Sequence, residues 1–370
     1  MSEQRRNFFT DQGGPDDEVF MRRCLQLAIS ASGYTAPNPM VGAVLVYKEK
    51  IIGEGFHRFY GGPHAEVNCI NSVGPENREF IALSTLYVSL EPCCHYGKTP
   101  PCTDLIIREK IPKVVIGCRD PFPEVDGKGI EKLKAHGVDG KCCVLEKLSK
   151  QVNRRFFTFH QQQRPFIVLK WAQSADRKIA ATGNQRTMIS NGFSNRLVHK
   201  WRSEEQGILI GTETALLDNP ALTTRFWPGK NPVRIVVDRD LRLPQTLKIF
   251  DGQSPLLVLN TKKDKAESAV TYIQIDAAFE LSSILSALYS AGIISILVEG
   301  GGSLLQSFID IGIWDEMRVI TNQELEINNG HVSPQISGAT LIRTENYGSD
   351  QIDYYTRNLS LTVFAATPDR

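Results

Sequence analysis

One pairing limits this chain more than any other feature: His64-Ala65-Glu66 with Glu91-Pro92-Cys93 and the more distant Cys102. An imidazole, two thiols and a carboxylate from separate segments serve one chemistry only if the fold returns the backbone to a single point. The donor types are those of a catalytic zinc site. His64, Cys93 and Cys102 supply three ligands, two of them negative when ionised, and the fourth position stays open for water. Glu66 suits a carboxylate that is not a ligand and carries the water's proton. Cys94 or His95 could instead close the site as a fourth ligand, which would make the zinc purely structural.

A chain of 370 residues is most simply two domains, each able to bury its own core. Its 42 basic and 41 acidic residues leave a net charge of +1, which gives no bulk field for nucleic acid or an acidic membrane. The longest apolar runs, such as 293–298, are far shorter than a membrane span, and the N-terminus lacks the apolar core of a signal peptide. A soluble chain in the cytoplasm is the expectation. All eight cysteines precede residue 144, so reduced thiols around a metal are expected rather than a disulfide framework.

The pattern along the chain alternates strands and helices, which indicates an α/β layered fold. Residues 1–17 read as a loose tail and 18–30 as a helix. Residues 41–46 and 51–55 read as a hairpin, and the helix opening at His64 follows Gly61-Gly62-Pro63. A strand over 85–90 runs straight into Glu91-Pro92-Cys93. A helix over 103–110 follows, with Thr103 or Asp104 near its N-cap. Both metal segments thereby lie at helix starts, where amide groups and the positive dipole end favour thiolates. A strand at 114–117, a helix at 129–136 and a short strand at 142–145 complete the first domain, 18–147. Polar, helix-like residues 148–164 read as a linker.

From 165 to 370 the alternation restarts. Strands are expected at 166–172, 207–211, 234–238, 256–259 and 293–298, with a last one at 359–366. Helices are expected at 195–202, 281–291 and 304–309. Glu299-Gly300-Gly301-Gly302-Ser303 joins a buried strand to a helix, a place where small residues let amides approach a phosphate, although glycines also make ordinary turns.

Between the two thiols, His95, Lys98 and Thr99 are groups a polar, phosphorylated substrate could use. Asn38, fixed between Pro37 and Pro39, could present its amide to a base edge. His57 precedes the metal motif on the same side of the hairpin.

At these residues the chain resembles the bifunctional deaminase/reductase of riboflavin biosynthesis. The likeness rests on Pro37-Asn38-Pro39-x-Val41-Gly42-Ala43-Val44, on Gly62-Pro63-His64-Ala65-Glu66-Val67, and on Glu91-Pro92-Cys93-x-His95-Tyr96-Gly97-Lys98-Thr99-Pro100-Pro101-Cys102. The insertion between the two cysteines distinguishes this family from tRNA and cytidine deaminases. In the second half it rests on 170–181, on 207–225 with Asp218-Asn219-Pro220-Ala221-Leu222-Thr223-x-Arg225, on 232–238 and on 298–304.

The resemblance implies an N-terminal three-layer α/β/α sandwich like that of cytidine deaminases and a C-terminal α/β domain like dihydrofolate reductase. It implies one zinc ion per chain and NADPH as cofactors. The first domain would deaminate 2,5-diamino-6-ribosylamino-4(3H)-pyrimidinone 5′-phosphate, and the second would reduce the resulting 5-amino-6-(5-phosphoribosylamino)uracil. It further implies that Asn38, His57, His95 and Lys98 meet the first substrate, and Arg202, Leu222, Arg225 and Glu299 the second. Arg202 and Arg225 could clamp its phosphate. Ala172, Thr214, Asp218, Gly301, Gly302, Ser303, Leu304 and Leu305 would lie against NADPH. The partners are small molecules, with neither nucleic acid nor membrane, and the chain is expected to be a homo-oligomer, a dimer or tetramer. Three residues depart from the family pattern: Arg177 where Gly is usual, Met188 where Trp is common, and Arg239, which could meet the cofactor's 2′-phosphate. Two other readings stay open. One is a deaminase whose second domain serves docking or assembly, and the other a non-catalytic zinc module that binds nucleotides.

Overall fold

Residues 42–47, 85–88 and 113–116 are apolar at nearly every position, so a sheet made from them has to be covered on both faces. That requirement sets the first half of the chain. The computed structural model describes residues 14–96, 100–183 and 187–357, and divides the chain into two units between Gln162 and Gln163. The tail before residue 14, Lys98 and the strand expected at 359–366 lie outside the described residues.

In the first unit, α1 (Pro15–Ile29) leads to the antiparallel hairpin β1 (Gly42–Tyr47) and β2 (Lys50–Phe56). Next come α2 (Ala65–Asn71), a 3-10 segment, β3 (Thr85–Val88) and α3 (Cys102–Arg108). The unit closes with β4 (Lys113–Ile116), α4 (Lys128–Ala135), β5 (Asp139–Lys141), α5 (Glu146–Val152) and α6 (Arg154–Gln162). The sheet order is β2-β1-β3-β4-β5. Met21 and Cys24 of α1 cover Val44, Tyr87 and Val115 on one face. Cys69, Ile106 and Leu133, from α2, α3 and α4, cover Leu45, Leu86 and Ile116 on the other. This is the three-layer sandwich expected.

Several boundaries differ from the sequence reading. The first helix starts at Pro15, inside the stretch expected as tail, because Gly14, Pro15 and the acidic first turn (Asp16, Asp17, Glu18) make a good helix start. Cys102 is itself the first residue of α3, with Pro101 as its N-cap. Residues 142–145, expected as a strand, form a loop in which Cys143 and Leu145 take left-handed backbone (φ +70° and +56°). The polar, helix-like stretch 148–164 is largely helical. It holds most of α5 and all of α6, and buries Phe156 and Phe157 against Leu90 and Cys118 of the first unit.

Gly55 controls one close approach. A Cβ there would lie 2.2 Å from the amide nitrogen of Cys69, so only bare backbone lets α2 pack this tightly on β2.

The second unit opens with β6 (Phe166–Ser174), β7 (Lys178–Ala181), α7 (Gly192–Glu204), β8 (Gly207–Gly211) and α8 (Thr212–Asp218). It continues with β9 (Val233–Val237), β10 (Leu256–Asn260), β11 (Lys265–Glu267), β12 (Val270–Gln274), α9 (Leu281–Ser290) and β13 (Ser295–Val298). Then follow α10 (Gly302–Ile311), β14 (Glu316–Asn322), β15 (Gly330–Val332), β16 (Ala339–Tyr347) and β17 (Asp350–Arg357). Ten strands form one sheet in the order β11-β12-β10-β9-β8-β13-β6-β14-β17-β16, parallel from β12 to β14 and antiparallel at both edges. Alternate residues of β6 face opposite cores. Ile167 and Leu169 pack with Leu285 of α9 and Phe308 of α10, while Phe166 and Val168 pack with Val198 and Trp201 of α7. No helix among the described residues is long and apolar enough to cross a membrane.

Candidate active sites

The metal motif closes as its spacing demands. His64 is the N-cap of α2, Cys102 opens α3, and Cys93 follows the end of β3. His64 Nδ1 lies 3.5 Å from Cys93 Sγ and 3.3 Å from Cys102 Sγ. The three donor atoms all fall within 4.8 Å of one another. Tetrahedral zinc with ordinary Zn–N and Zn–S bonds would set a nitrogen–sulfur edge of about 3.6 Å, so the donors fit the ion without rearrangement. The backbone N–H of Cys102 also points at Cys93 Sγ, 3.3 Å away, and stabilises a thiolate there.

Donors this close share protons. The Cys93 thiol is drawn down to about 4, chiefly by its hydrogen bond with Cys102 and then by His64. His64 is raised to about 9 by its contact with Cys93, and Cys102 is pushed up by Cys93 and by burial. A divalent cation would displace those protons, as metal binding to such a set generally does. Neither suggested fourth ligand joins the group. Cys94 Sγ is directed at the Glu124 carbonyl (3.7 Å), and the His95 ring meets Phe122 edge-on at 5.9 Å.

Glu66 lies in the first turn of α2, almost fully buried, and burial raises its carboxyl pKa. That keeps it able to take and return a proton. His57 donates from Nδ1 to the Pro63 carbonyl (3.0 Å) and accepts at Nε2 from Asn38 Nδ2 (3.2 Å). Burial lowers its pKa, so the ring is neutral at pH 7, and it meets the His64 ring edge-on at 5.5 Å. Asn38 and His57 thus form one polar wall beside the metal ligands.

Two supporting residues had no role in the sequence reading. The buried Glu91 carboxylate accepts from the backbone N–H groups of Asp120, Gly127, Gly129 and Ile130 (3.0–3.3 Å). It ties the segment just before Cys93 to the start of α4. Asn153, between α5 and α6, accepts from Met40 N–H at 2.8 Å and donates to Met40 C=O at 2.9 Å, holding the Asn38 loop. A lone polar residue in a polar stretch carries no sign of such a partner. The Glu-Pro-Cys run could have flagged Glu91, because a carboxylate beside a ligand segment in an otherwise apolar strand end needs donors.

In the second unit β8, β13 and β6 are adjacent parallel strands; Glu299 and the glycine loop follow directly on the carboxyl end of β13, and Thr214 lies in the helix that follows β8, the usual crevice of open α/β sheets. Gly301 caps α10 with φ +58°, and Gly302 and Ser303 form its first turn. A Cβ on Gly301 would sit 3.4 Å from Thr214 Oγ1, so α8 and the glycine loop face each other. Bare amides at a helix start opposite a hydroxyl suit a cofactor phosphate. Ala172 lies half-buried on β6, and Asp218 is exposed at the end of α8.

Three residues expected at ligands also have partners within the protein. Leu305 is buried in the core and its N–H bonds to the Gly301 carbonyl, while Leu304 is only partly covered. Leu222 is also core, in left-handed backbone (φ +54°), so only its main chain could meet a ligand. Arg202 is engaged by Glu299 through Nε and Nη2 (2.8 and 2.7 Å) and by the Thr223 carbonyl through Nη1 (3.2 Å). Of the expected phosphate clamp, the exposed Arg225 keeps its guanidinium open, anchored by one bond to Thr223 Oγ1. Burial pushes the Glu299 carboxyl up, but Arg202 and Lys170 outweigh it and hold the group at about 2. Met188 is exposed. Arg239 donates to the Ala277 carbonyl and lies 5.9 Å from the Phe279 ring.

A hydrolytic zinc deaminase followed by a reductase domain is the class of enzyme that this fold and these sites define. The cytidine and deoxycytidylate deaminase zinc-binding region matches residues 15–118, and the RibD C-terminal domain matches residues 165–322. The chain belongs to the RibD family of riboflavin biosynthesis proteins. It is 38% identical to the riboflavin biosynthesis protein RibD of Aquifex aeolicus, across 92% of this chain and 98% of that one. It is 37% identical to RibD of Bacillus amyloliquefaciens, across 81% and 83%.

Among solved structures it resembles a diaminohydroxyphosphoribosylaminopyrimidine deaminase/5-amino-6-(5-phosphoribosylamino)uracil reductase from Thermotoga maritima. The TM-score is 0.83 at 35% identity, covering 92% of this chain and 99% of that one. RibD from Acinetobacter baumannii gives a TM-score of 0.84 at 28% identity, covering 93% and 99%. The chain is a bifunctional enzyme, with a zinc-dependent deaminase domain and an NADPH-dependent reductase domain.

Proposed function

We propose that the unit ending at Gln162 deaminates 2,5-diamino-6-ribosylamino-4(3H)-pyrimidinone 5′-phosphate. The unit beginning at Gln163 would then reduce 5-amino-6-(5-phosphoribosylamino)uracil to its ribityl form. The observation that carries the first step is the His64, Cys93 and Cys102 triangle with buried Glu66 in the same turn of α2. These three residues hold zinc, which when bound supplies a Lewis acid that makes water nucleophilic near neutral pH. Glu66 takes the water's proton and returns it to the departing amine. Asn38 and neutral His57 orient the pyrimidine, and His95 and Lys98 meet its polar substituents.

In the second unit, the amides of Gly301, Gly302 and Ser303, with Ala172, Thr214 and Asp218, would hold the cofactor. NADPH supplies the hydride. Arg225 binds the sugar phosphate, and the Arg202–Glu299 pair fixes the polar floor of the site. Homo-oligomeric assembly and cytoplasmic placement belong to the same proposal and are read by sedimentation and cell fractionation.

The test is a coupled assay with the diaminopyrimidinone ribosyl phosphate that reads ammonia and NADPH oxidation separately. Both signals are expected from the wild type. Glu66→Gln should keep zinc and lose ammonia release by roughly 10²–10⁴-fold. Normal turnover in that variant refutes the shuttle, and wild-type protein that binds zinc yet gives neither signal refutes the substrate.

A further inference from the structure

The loop after β5 places two thiols together for which the deaminase has no use. In an extended strand, adjacent side chains leave opposite faces of the sheet. Here Cys143 takes left-handed backbone, and its Sγ lies 2.9 Å from that of Cys142. The next residue is fixed, since Val144 N–H bonds to the Ile116 carbonyl on β4 (3.2 Å), and Leu145 then caps α5. The turn is therefore held from both sides and keeps the sulfurs in contact.

The other buried thiols outside the zinc site are dispersed. Cys24, Cys69 and Cys118 each donate to a backbone carbonyl, of Tyr87, Gly53 and Ser89 respectively. Cys142 is 7% exposed and its thiol is pushed up by burial, whereas Cys143 is only half-buried.

We propose that Cys142 and Cys143 form a redox-reactive vicinal dithiol, a modification site for low-molecular-weight disulfides. Cys143, the more accessible, attacks one sulfur of the reagent as a thiolate, forming a mixed disulfide and expelling one thiol. Cys142 then gives up its proton and attacks the Cys143 sulfur, expelling the second thiol and closing a Cys142–Cys143 disulfide. The two protein thiols lose two electrons and two protons, and the reagent is reduced to two thiols.

The test uses the zinc-loaded full chain and glutathione disulfide, with acid quenching, alkylation and tryptic digestion. Cleavage after Lys141 and Lys147 isolates residues 142–147, with both thiols on one peptide and neither zinc-site cysteine. The expected result is a peptide lighter by two hydrogens and unalkylated, with the doubly alkylated form reduced about tenfold and restored by dithiothreitol. Cys142→Ser should instead retain a glutathione adduct on Cys143. A lasting adduct in the wild type would show that Cys142 does not reach, and double alkylation would show that the pair does not react. Either result overturns the proposal.

Discussion

Replacing Asn153 by alanine removes a two-point clasp between residues 113 positions apart in sequence. Asn153 is 2% exposed, and both of its side-chain bonds go to Met40, which is itself half-buried. Alanine leaves one N–H and one C=O without partners. A buried orphan costs about 1–3 kcal/mol, and partial access to water at Met40 puts the pair near the low end, roughly 2–3 kcal/mol in total. For a unit of this size that is about 5–10 °C in Tm. The same clasp sets the loop carrying Asn38, so the ammonia-releasing reaction should lose substrate affinity while zinc content stays at one per chain. Differential scanning calorimetry, zinc analysis and KM for ammonia release read these effects separately. Asn153→Asp keeps the acceptor for Met40 N–H but turns a carboxylate toward Met40 C=O, so it should fall no nearer to wild type than alanine. A melting temperature within about 1 °C of wild type together with an unchanged KM for Asn153→Ala would refute the reasoning.

Glu91→Gln places an amide where four backbone N–H groups need an acceptor. It should cost roughly 2–4 kcal/mol and weaken zinc retention against a chelator, measured by calorimetry and competition. Glu299→Gln strands buried Arg202 and should cost about 3–5 kcal/mol at neutral pH. Because the folded carboxyl sits at about 2 against an ordinary 4.5, its contribution is full above the ordinary value and is lost as pH falls toward 2. Denaturation curves should therefore show the gap between variant and wild type narrowing below pH 4.5; a constant gap would exclude the ion pair as its source. Arg177 has φ +58°, where a side chain is strained, so Arg177→Gly should gain about 0.5–1 kcal/mol in urea melts.

Both active sites were legible to different depths, for identifiable reasons. Zinc ligands declare themselves because few other uses bring His-x-Glu and Pro-Cys to helix starts, and the strands on either side are long apolar runs. The antiparallel edge, β16 and β17, left no comparable trace. In β16 five of nine residues are exposed and none is buried, and in β17 the buried face mixes Asp350 with Ile352 and Tyr354, so neither strand shows a clean apolar alternation in sequence. Arg202 and Glu299 are expected against the second substrate from the family resemblance alone; their pairing across 97 positions is what the sequence does not show. Leu222 and Leu305, expected beside ligands from the resemblance, have core side chains, a burial that motif position alone does not reveal. The helix-like reading of 148–164 did not reveal that Asn153, Phe156 and Phe157 are buried, because composition averages over a helix face and the buried residues of α6 are few.

The contact of α2 with Gly55 extends the zinc site's mutational footprint beyond its ligands. His64 and Glu66 ride on the helix end whose depth is set by a missing side chain on β2. A single methyl at Gly55 would meet the Cys69 amide at 2.2 Å and lever the whole helix outward, ligand and proton carrier together. Genetic screens for loss of ammonia release should therefore return Gly55 alongside His64 and Glu66, although it has no side chain to offer substrate or metal. A hit in such a screen is then evidence of position rather than of chemistry.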